Sequence, residues 1–376
     1  MAFRFVHTAD WQLGKGFAHV PGDAGAALRE RRIETVRAIG QLAVEKNAHA
    51  VLVAGDVFDA NAVADRTLIQ MLEALKIFPG DWVFIPGNHD AALADSVWTR
   101  LLNREPPTNV HLALEPEEPI VLADSRAAVL PAVLQRRHEI DDLTASFERM
   151  ETQKGVIRIG LAHGSVPDFL PDQSKVRNPI AADRVNAAQL DYLALGDWHG
   201  TLKVNDRTWY SGTPETDSFS SSDPGNALFV TIPESGALPE VEKVSIGHFA
   251  WRSDAAEVRS AEDVEALDRQ IGRLAPDPQR CLLRLTLTGT IDLAIRTKLN
   301  ERLSYWDALL HHLDVREDAL VNAPSDDDLD RIDRGGFVRT AIERLRHRAL
   351  DDSDPDKAVA EMALVRLYET HMGSSA

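Results

Sequence analysis

The chain has 376 residues, 44% of them hydrophobic and 27% charged, which is enough for a full core and suggests two or three domains. Its single cysteine, Cys281, excludes an intramolecular disulfide and fits a reducing compartment, while the net charge of −18 argues against a generic nucleic-acid coat but not against a nuclease. No apolar run approaches the ~20 residues of a membrane-spanning helix, and the first residues enter a strand rather than a signal peptide, so the expectation is a cytoplasmic protein with no membrane partner.

Arg4 to Ala9 reads as a strand that runs directly into Asp10-Trp11-Gln12. Leu28 to Lys46 has helical spacing (Leu28, Ile33, Val36, Ile39, Leu42, Ala43), with Asn47 as its stop. Ala50 to Ala54 is a buried strand leading into Gly55-Asp56-Val57-Phe58-Asp59. A helix over Asp65 to Phe78 is stopped by Pro79-Gly80, and a strand over Trp82 to Ile85 ends in Pro86-Gly87-Asn88-His89-Asp90. Such short, continuous apolar runs belong to parallel strands covered on both faces, joined by helical crossovers.

From Asn109 the texture changes. Val110 to Leu114, Ile120 to Ala123 and Ala127 to Leu130 are closely spaced strand candidates for which antiparallel pairing is expected, followed by a helix over Arg137 to Met150. Strands at Val156 to Ala162 and Tyr192 to Leu195 end in His163-Gly164 and Gly196-Asp197-Trp198-His199. Further strands are expected near Leu202 to Val204, Thr208 to Tyr210 and Ala227 to Ile232, giving an α/β fold with a mixed sheet opposite a second sheet and helices outside. Beyond Gly247 no ligand-type motif appears. Ala261 to Leu274 reads as a helix, Arg280 to Leu287 as a strand, Leu293 to Leu303 as a helix and His312 to Val321 as a strand, before helices over Phe337 to Ala349 and Asp356 to His371. The expected domains are 1–246, a smaller α+β unit over 247–335 and a helical tail over 336–376.

Five polar motifs thus follow five apolar strands, and α/β sheets place their chemistry in loops beyond the carboxyl ends of strands. The residue types are those that hold divalent cations. Carboxylates bridge, imidazole nitrogen suits Mn, Fe or Zn, and an amide oxygen completes a hard ligand set. Two cations held this way activate a water and neutralise charge on a phosphate.

The ordered motifs resemble those of the calcineurin-like metallophosphoesterase family, and HTADWQLGK, AGDVFD and PGNHD resemble its branch of SbcD-type DNA repair exonuclease subunits. The resemblance covers roughly residues 1 to 215. It implies a four-layer αββα metallophosphoesterase sandwich with a smaller C-terminal cap and a helical tail. It implies that Asp10 and His199 hold the first metal, that Asp56 bridges, and that Asn88 and His163 hold the second. His89 resembles the histidine that contacts the phosphate and helps the leaving oxygen depart; Asp59 and Asp90 would orient their loops. Two positions depart from the family pattern: Gln12 stands where a His is usual, and Asp197 replaces the first His of the fifth motif. Both changes move ligation toward oxygen and favour two Mn or Mg ions over Zn, with Fe also compatible.

Lys15 is a candidate phosphate contact with a solvated lysine as its alternative, and Tyr210-Ser211-Gly212-Thr213-Pro214 resembles a loop flanking this family's active site, making Tyr210 a candidate substrate contact. Trp11 and Trp198 read as packing residues, Cys281 as a small buried hydrophobe, and histidines such as His7 and His49 as ordinary core or surface residues. The expected function is metal-dependent DNA phosphodiester hydrolysis by an exonuclease or endonuclease subunit. The alternatives are a small-molecule phosphodiesterase, such as a cyclic-nucleotide hydrolase, and a scaffold subunit weakened by Gln12 and Asp197. The resemblance further implies an SbcC-like coiled-coil ATPase as partner, for which the C-terminal helices are the expected docking site by their position after the cap; a homodimer is a second candidate assembly.

Overall fold

Strands with no polar face lie at the centre of the first part of the chain. The computed structural model describes residues 2–123, 126–167, 169, 177–219, 222–322, 336–351 and 353–373, and the chain divides into two units, Met1–Phe249 and Ala250–Ala376. In chain order the first unit contains β1 (Phe3–Thr8), α1 (Gly22–Glu45), β2 (Ala50–Ala54), α2 (Asp65–Leu75), β3 (Asp81–Ile85), α3 (Val97–Leu102) and β4 (Val110–Leu112). There follow β5 (Ile120–Leu122), β6 (Ala127–Pro131), β7 (Ile157–His163), α4 (Arg184–Ala187), β8 (Tyr192–Gly196), β9 (Leu202–Asn205), β10 (Thr208–Tyr210), β11 (Asn226–Ile232) and β12 (Glu240–Ser245).

These strands form two six-stranded sheets, ordered β12-β11-β1-β2-β3-β4 and β5-β6-β7-β8-β10-β9. The strands β1 to β4 run parallel, as do β6, β7, β8 and β10. Period-two alternation distributes the side chains between layers. Leu52, Val83 and Ile85 face inward with Phe5, Ile159, Leu161 and Val230 to fill the space between the sheets. Val51, Val53, Trp82 and Phe84 face the other way, onto Ile39 of α1 and Leu68 and Met71 of α2. On the far side Leu130, Leu193 and Leu195 meet Phe147, Val185 and Leu190. The layers are therefore helix, sheet, sheet and helix, the last one thin: among the described residues it holds only α4 and a 3-10 turn at Leu143–Glu148. Leu161 sits fully buried between the sheets, so Leu161→Ala is expected to cost about 2–5 kcal/mol, seen as a lower midpoint in urea denaturation.

Two expectations fail here, each for a physical reason. Val110 to Leu112 pairs parallel with β3 rather than antiparallel with its sequence neighbours, because α3 provides a crossover between them; only β5 and β6 form the antiparallel pair. The helix over Arg137 to Met150 is reduced to the 3-10 turn, whose start is fixed by Asp142: its carboxylate accepts the Thr144 N–H at 2.9 Å, the Ala181 N–H at 3.0 Å and an Arg184 N–H at 2.7 Å. The edge strand β12 has no counterpart among the sequence-derived elements. Its valines, Val241 and Val244, break the two-residue period, and its charged residues protect a sheet edge.

The second unit contains β13 (Ala250–Glu257), α5 (Ala261–Leu274), β14 (Cys281–Ile291), α6 (Leu293–Leu309) and β15 (His312–Asn322). Its three strands are parallel, and α5 and α6 are the crossovers. Ser260 and Asp263 form a reciprocal capping box at the start of α5, and Asp292 caps α6 by accepting the Ile295 N–H at 2.8 Å. Cys281 is buried in the core of this unit. Helices Gly336–Leu350 and Lys357–Gly373 close the chain and pack on each other through Ile342, Ala349, Ala360 and Leu364. Among the described residues no helix is long and apolar enough to cross a membrane.

Candidate metal centre

The turns after β1, β2, β3, β7 and β8 converge at one rim of the two sheets. Asp10, Asp56 and His163 each offer a ligand atom within 4.8 Å of the others, and all three are buried. Both oxygens of Asp10 face the Asp197 N–H at 3.2 and 3.3 Å, which joins the first turn to the last. The Nε2 atom of His163 lies 3.5 Å from Asp56 Oδ1 and 3.7 Å from Asp197 Oδ1. Asn88 donates from Nδ2 to Asp197 Oδ1 at 3.2 Å. Backbone strain collects at the same place: Asp10 (φ 54°), Gln12 (46°), Asp56 (50°) and Asp197 (99°) all hold left-handed conformations. Non-glycine residues adopt these uncommonly, Asp more readily than most, and such positions recur at functional sites. Two glycines make the approach of the turns geometrically feasible. A Cβ on Gly55 (φ +85°) would lie 2.4 Å from His163 Nδ1, and one on Gly87 would lie 2.2 Å from Asp56 Oδ1.

The donor set fits a divalent cation on direct structural grounds. Among the described residues, Asn88 Oδ1 and His163 Nε2 are buried and have no hydrogen-bond partner. Leaving such an atom unsatisfied costs about 1–3 kcal/mol, a cost that a cation removes. His163 Nδ1 lies 2.8 Å from the Ala54 carbonyl, so this nitrogen carries a proton and Nε2, facing the carboxylates, is the atom that can bind a cation once it gives up its own proton. An amide oxygen, an imidazole nitrogen and carboxylates together suit Mn, Fe or Zn.

In the cation-free chain the imidazoles serve as counter-cations to the buried acids. Burial raises the Asp10 carboxyl to about 6, with His199 and His163 opposing and Asp56 adding to the rise. Burial alone would lower His163, but the charges of Asp56, Asp10 and Asp197 outweigh it and lift the ring to about 9. His199 behaves likewise: burial lowers it, while the hydrogen bond and charge of Asp217 carry it to about 9. Asp217 feels burial as an upward push, yet His199, Arg32 and Lys15 hold its carboxyl well below the usual carboxylate range.

Around these donors lies a supporting layer. Asp90 is buried and accepts the Gly87 N–H at 2.6 Å and the Phe58 N–H at 3.0 Å, so one carboxylate ties the turn after β3 to the turn after β2. Burial followed by repulsion from Asp56 raises its carboxyl to about 7. His89 is about one-third exposed, and its Nδ1 sits 2.9 Å from the Asp59 backbone carbonyl. Asp59 thus meets His89 through its main chain, not its side chain. The Oδ1 of Asp56 accepts the His89 N–H at 2.9 Å.

Three sequence-derived site residues are placed differently from expectation. Tyr210 is fully buried; its hydroxyl donates to the Gly164 carbonyl at 2.9 Å and accepts the Val166 N–H at 2.9 Å, so it braces the His163 turn and has no access to substrate. Lys15 is partly exposed but paired: its Nζ donates to Asp217 Oδ2 at 2.5 Å and to Gln12 Oε1 at 3.0 Å. Gln12 accordingly turns its oxygen to Lys15 and its Nε2 to His199 Nε2, 3.3 Å away. The histidine expected to be ordinary, His7, is indeed a core residue, held by Tyr192 and the Leu195 carbonyl, with burial lowering its ring to about 3.

Sequence reasoning missed Asp217, Ser165, Thr213 and Arg32. Asp217 lies 3.3 Å from His199 Nδ1, Ser165 Oγ donates to Asp197 Oδ2 at 2.9 Å, and Thr213 Oγ1 donates to the Asp10 carbonyl at 2.8 Å. Arg32 reaches the Trp11 carbonyl at 2.5 Å and Asp217 at 3.6 Å. Arg32 left a signal, since it stands on the buried stripe of α1 with Leu28, Thr35, Val36 and Ile39, where a charge needs a partner. Asp217 and Thr213 belong to the loop that begins at Tyr210, and Ser165 follows His163-Gly164 directly.

Known proteins are similar to this chain in sequence. The chain is 25% identical over 306 residues to the "Uncharacterized metallophosphoesterase YhaO" of Bacillus subtilis (strain 168), a match spanning 76% of this chain and 72% of that one. It is 28% identical over 269 residues to the SbcD component of the nuclease SbcCD of the same organism, spanning 61% of this chain and 65% of that one. The family model for calcineurin-like phosphoesterases matches residues 3–230, which include all five motif turns and every donor described above. This chain therefore belongs to the calcineurin-like phosphoesterase family.

Proposed function

We propose that the chain is a metal-dependent phosphodiesterase that cleaves DNA. The observation that carries the reading is the convergence of Asp10, Asp56 and His163 within 4.8 Å, beside the unsatisfied Asn88 Oδ1 and His163 Nε2. Asp10 and His199 would hold one cation, Asn88, His163 and Asp197 the other, with Asp56 shared between them. Divalent cations in these positions neutralise phosphate oxygens and make a water acidic enough to attack phosphorus.

The chain's own residues supply orientation and proton transfer. Nδ1 of His89 is committed to the Asp59 carbonyl, so Nε2 is the atom that can hold or release a proton. It lies 3.9 Å from Asp56 Oδ2, on the partly exposed side of the centre. A protonated His89 there can donate to the departing oxygen as the ester bond breaks. Buried Asp90 and Thr213 hold the turns from beneath and hence fix the donors before substrate arrives.

DNA as substrate is supported by the similarity to a protein named as part of a nuclease. The test is hydrolysis of single-stranded DNA, duplex ends and bis-p-nitrophenyl phosphate with Mn, Mg or Zn. DNA cleavage that requires the added cation is expected. Turnover of the small ester alone would reject DNA, and cation-independent turnover would reject the centre.

A further inference from the structure

Gln12 and Lys15 make the two halves of this centre chemically unequal. On the side of Asn88, His163 and Asp197, the buried Asn88 Oδ1 and His163 Nε2 stand without a hydrogen-bond partner among the described residues. Carboxylates on both sides accept hydrogen bonds, Asp197 from Asn88 Nδ2 and Ser165 Oγ and Asp56 from the His89 N–H, but on the side of Asp10 and His199 the Gln12 side chain is engaged as well. The Nε2 of His199 faces Gln12 Nε2 at 3.3 Å, and both Asp10 oxygens share the Asp197 N–H. The engagement is fixed from behind, because Lys15 Nζ donates to Gln12 Oε1 at 3.0 Å while anchored on Asp217 Oδ2 at 2.5 Å. With its oxygen drawn to Lys15, Gln12 presents an amide NH₂ to the centre, and that group has no lone pair to offer a metal. The Lys15 ammonium also places a positive charge in the layer next to the position a first-site cation must occupy.

Resting on the phosphoesterase reading, we propose that this chain holds one cation tightly, at Asp56, Asn88, His163 and Asp197, and the other weakly, at Asp10 and His199. Lys15, acting through Gln12, is the positioning residue that sets this difference. Asp217 contributes by holding both Lys15 and His199, whose Nδ1 it faces at 3.3 Å. Outer-layer partners of metal ligands commonly change affinity by about 10- to 100-fold, so a gap of about tenfold or more between the two steps follows.

The test is a Mn titration of the cation-free, full-length chain followed by calorimetry and by electron paramagnetic resonance. The wild type should take up one equivalent with the spectrum of an isolated ion, and the spectrum of an exchange-coupled pair should appear only at higher Mn. Lys15→Met, which removes the ammonium but keeps an unbranched stem, and Gln12→His, which adds a donor nitrogen, should each tighten the second step by about tenfold or more while barely moving the first. Melting of the cation-free variants establishes that both are folded. Two equal steps in the wild type, or a second step unmoved in both folded variants, would overturn the proposal. Absence of any uptake would overturn it together with the metal-dependent reading, whereas unequal uptake without DNA cleavage supports it and rejects only the substrate.

Discussion

Asp56→Ala is expected to lower cation-dependent phosphodiester hydrolysis by about 10³-fold or more, since cation charge stabilisation is worth several kcal/mol and each 1.36 kcal/mol is tenfold in rate. One carboxylate makes three contacts with two neighbours here. Its Oδ1 accepts the His89 N–H at 2.9 Å and lies 3.5 Å from His163 Nε2, and Oδ2 lies 3.9 Å from His89 Nε2. The substitution therefore removes the proposed shared cation donor and the bond that places the proposed proton donor in a single step. Its effect on the cation-free fold combines opposing changes, among them loss of the attraction between Asp56 and the His163 ring. A hydrogen bond to His89 is lost, while the repulsion that Asp56 exerts on Asp10 and Asp90 disappears. With cation present the two proteins should diverge. A ligand at 100 times its Kd stabilises the wild type by about 2.7 kcal/mol, and the variant should lose most of that gain. Rates together with melting temperatures, measured with and without Mn, check both halves. Wild-type turnover in the variant would remove Asp56 from the centre.

How much of this is legible in the sequence follows from which interactions are local. β1, β2, β3, β7 and β8 announce themselves as apolar runs ended by polar turns, and each such turn carries at least one residue of the centre. The stop of α1 is also local: Asn47 takes φ 49°, and the Ala48 N–H returns to the Ala43 carbonyl at 2.9 Å. The orientation of side chains is not. Gln12 reads as a weak oxygen donor because nothing nearby in sequence shows that Lys15, anchored on the distant Asp217, takes its oxygen. Tyr210 sits in a loop of the expected kind, but only the packing of β10 beside β8 shows that its hydroxyl is consumed by the His163 turn. Likewise the spacing of Leu143, Phe147 and Met150 is compatible with a helix, and it is the tertiary bonds to Asp142 that hold this segment as a shorter turn.

His89→Ala should separate proton transfer from cation binding. His89 is not among Asp10, Asp56 and His163, the donors that converge, and its Nδ1 rests on the Asp59 carbonyl outside them. Cation uptake and melting temperature are accordingly expected to stay near wild type, while DNA hydrolysis falls by about 10²- to 10⁴-fold, the range for loss of a general acid. The leaving group sharpens the argument. A deoxyribose oxygen departs as a strongly basic alkoxide unless it is protonated, whereas p-nitrophenolate departs readily without a proton. His89→Ala should therefore lose about tenfold or more additional activity on DNA than on bis-p-nitrophenyl phosphate, because only the first reaction needs the donated proton. Equal losses on both substrates would assign His89 to holding the phosphate instead. Its position 3.9 Å from Asp56 Oδ2 and its partial exposure leave Nε2 on the open face of the centre, where a leaving oxygen would emerge.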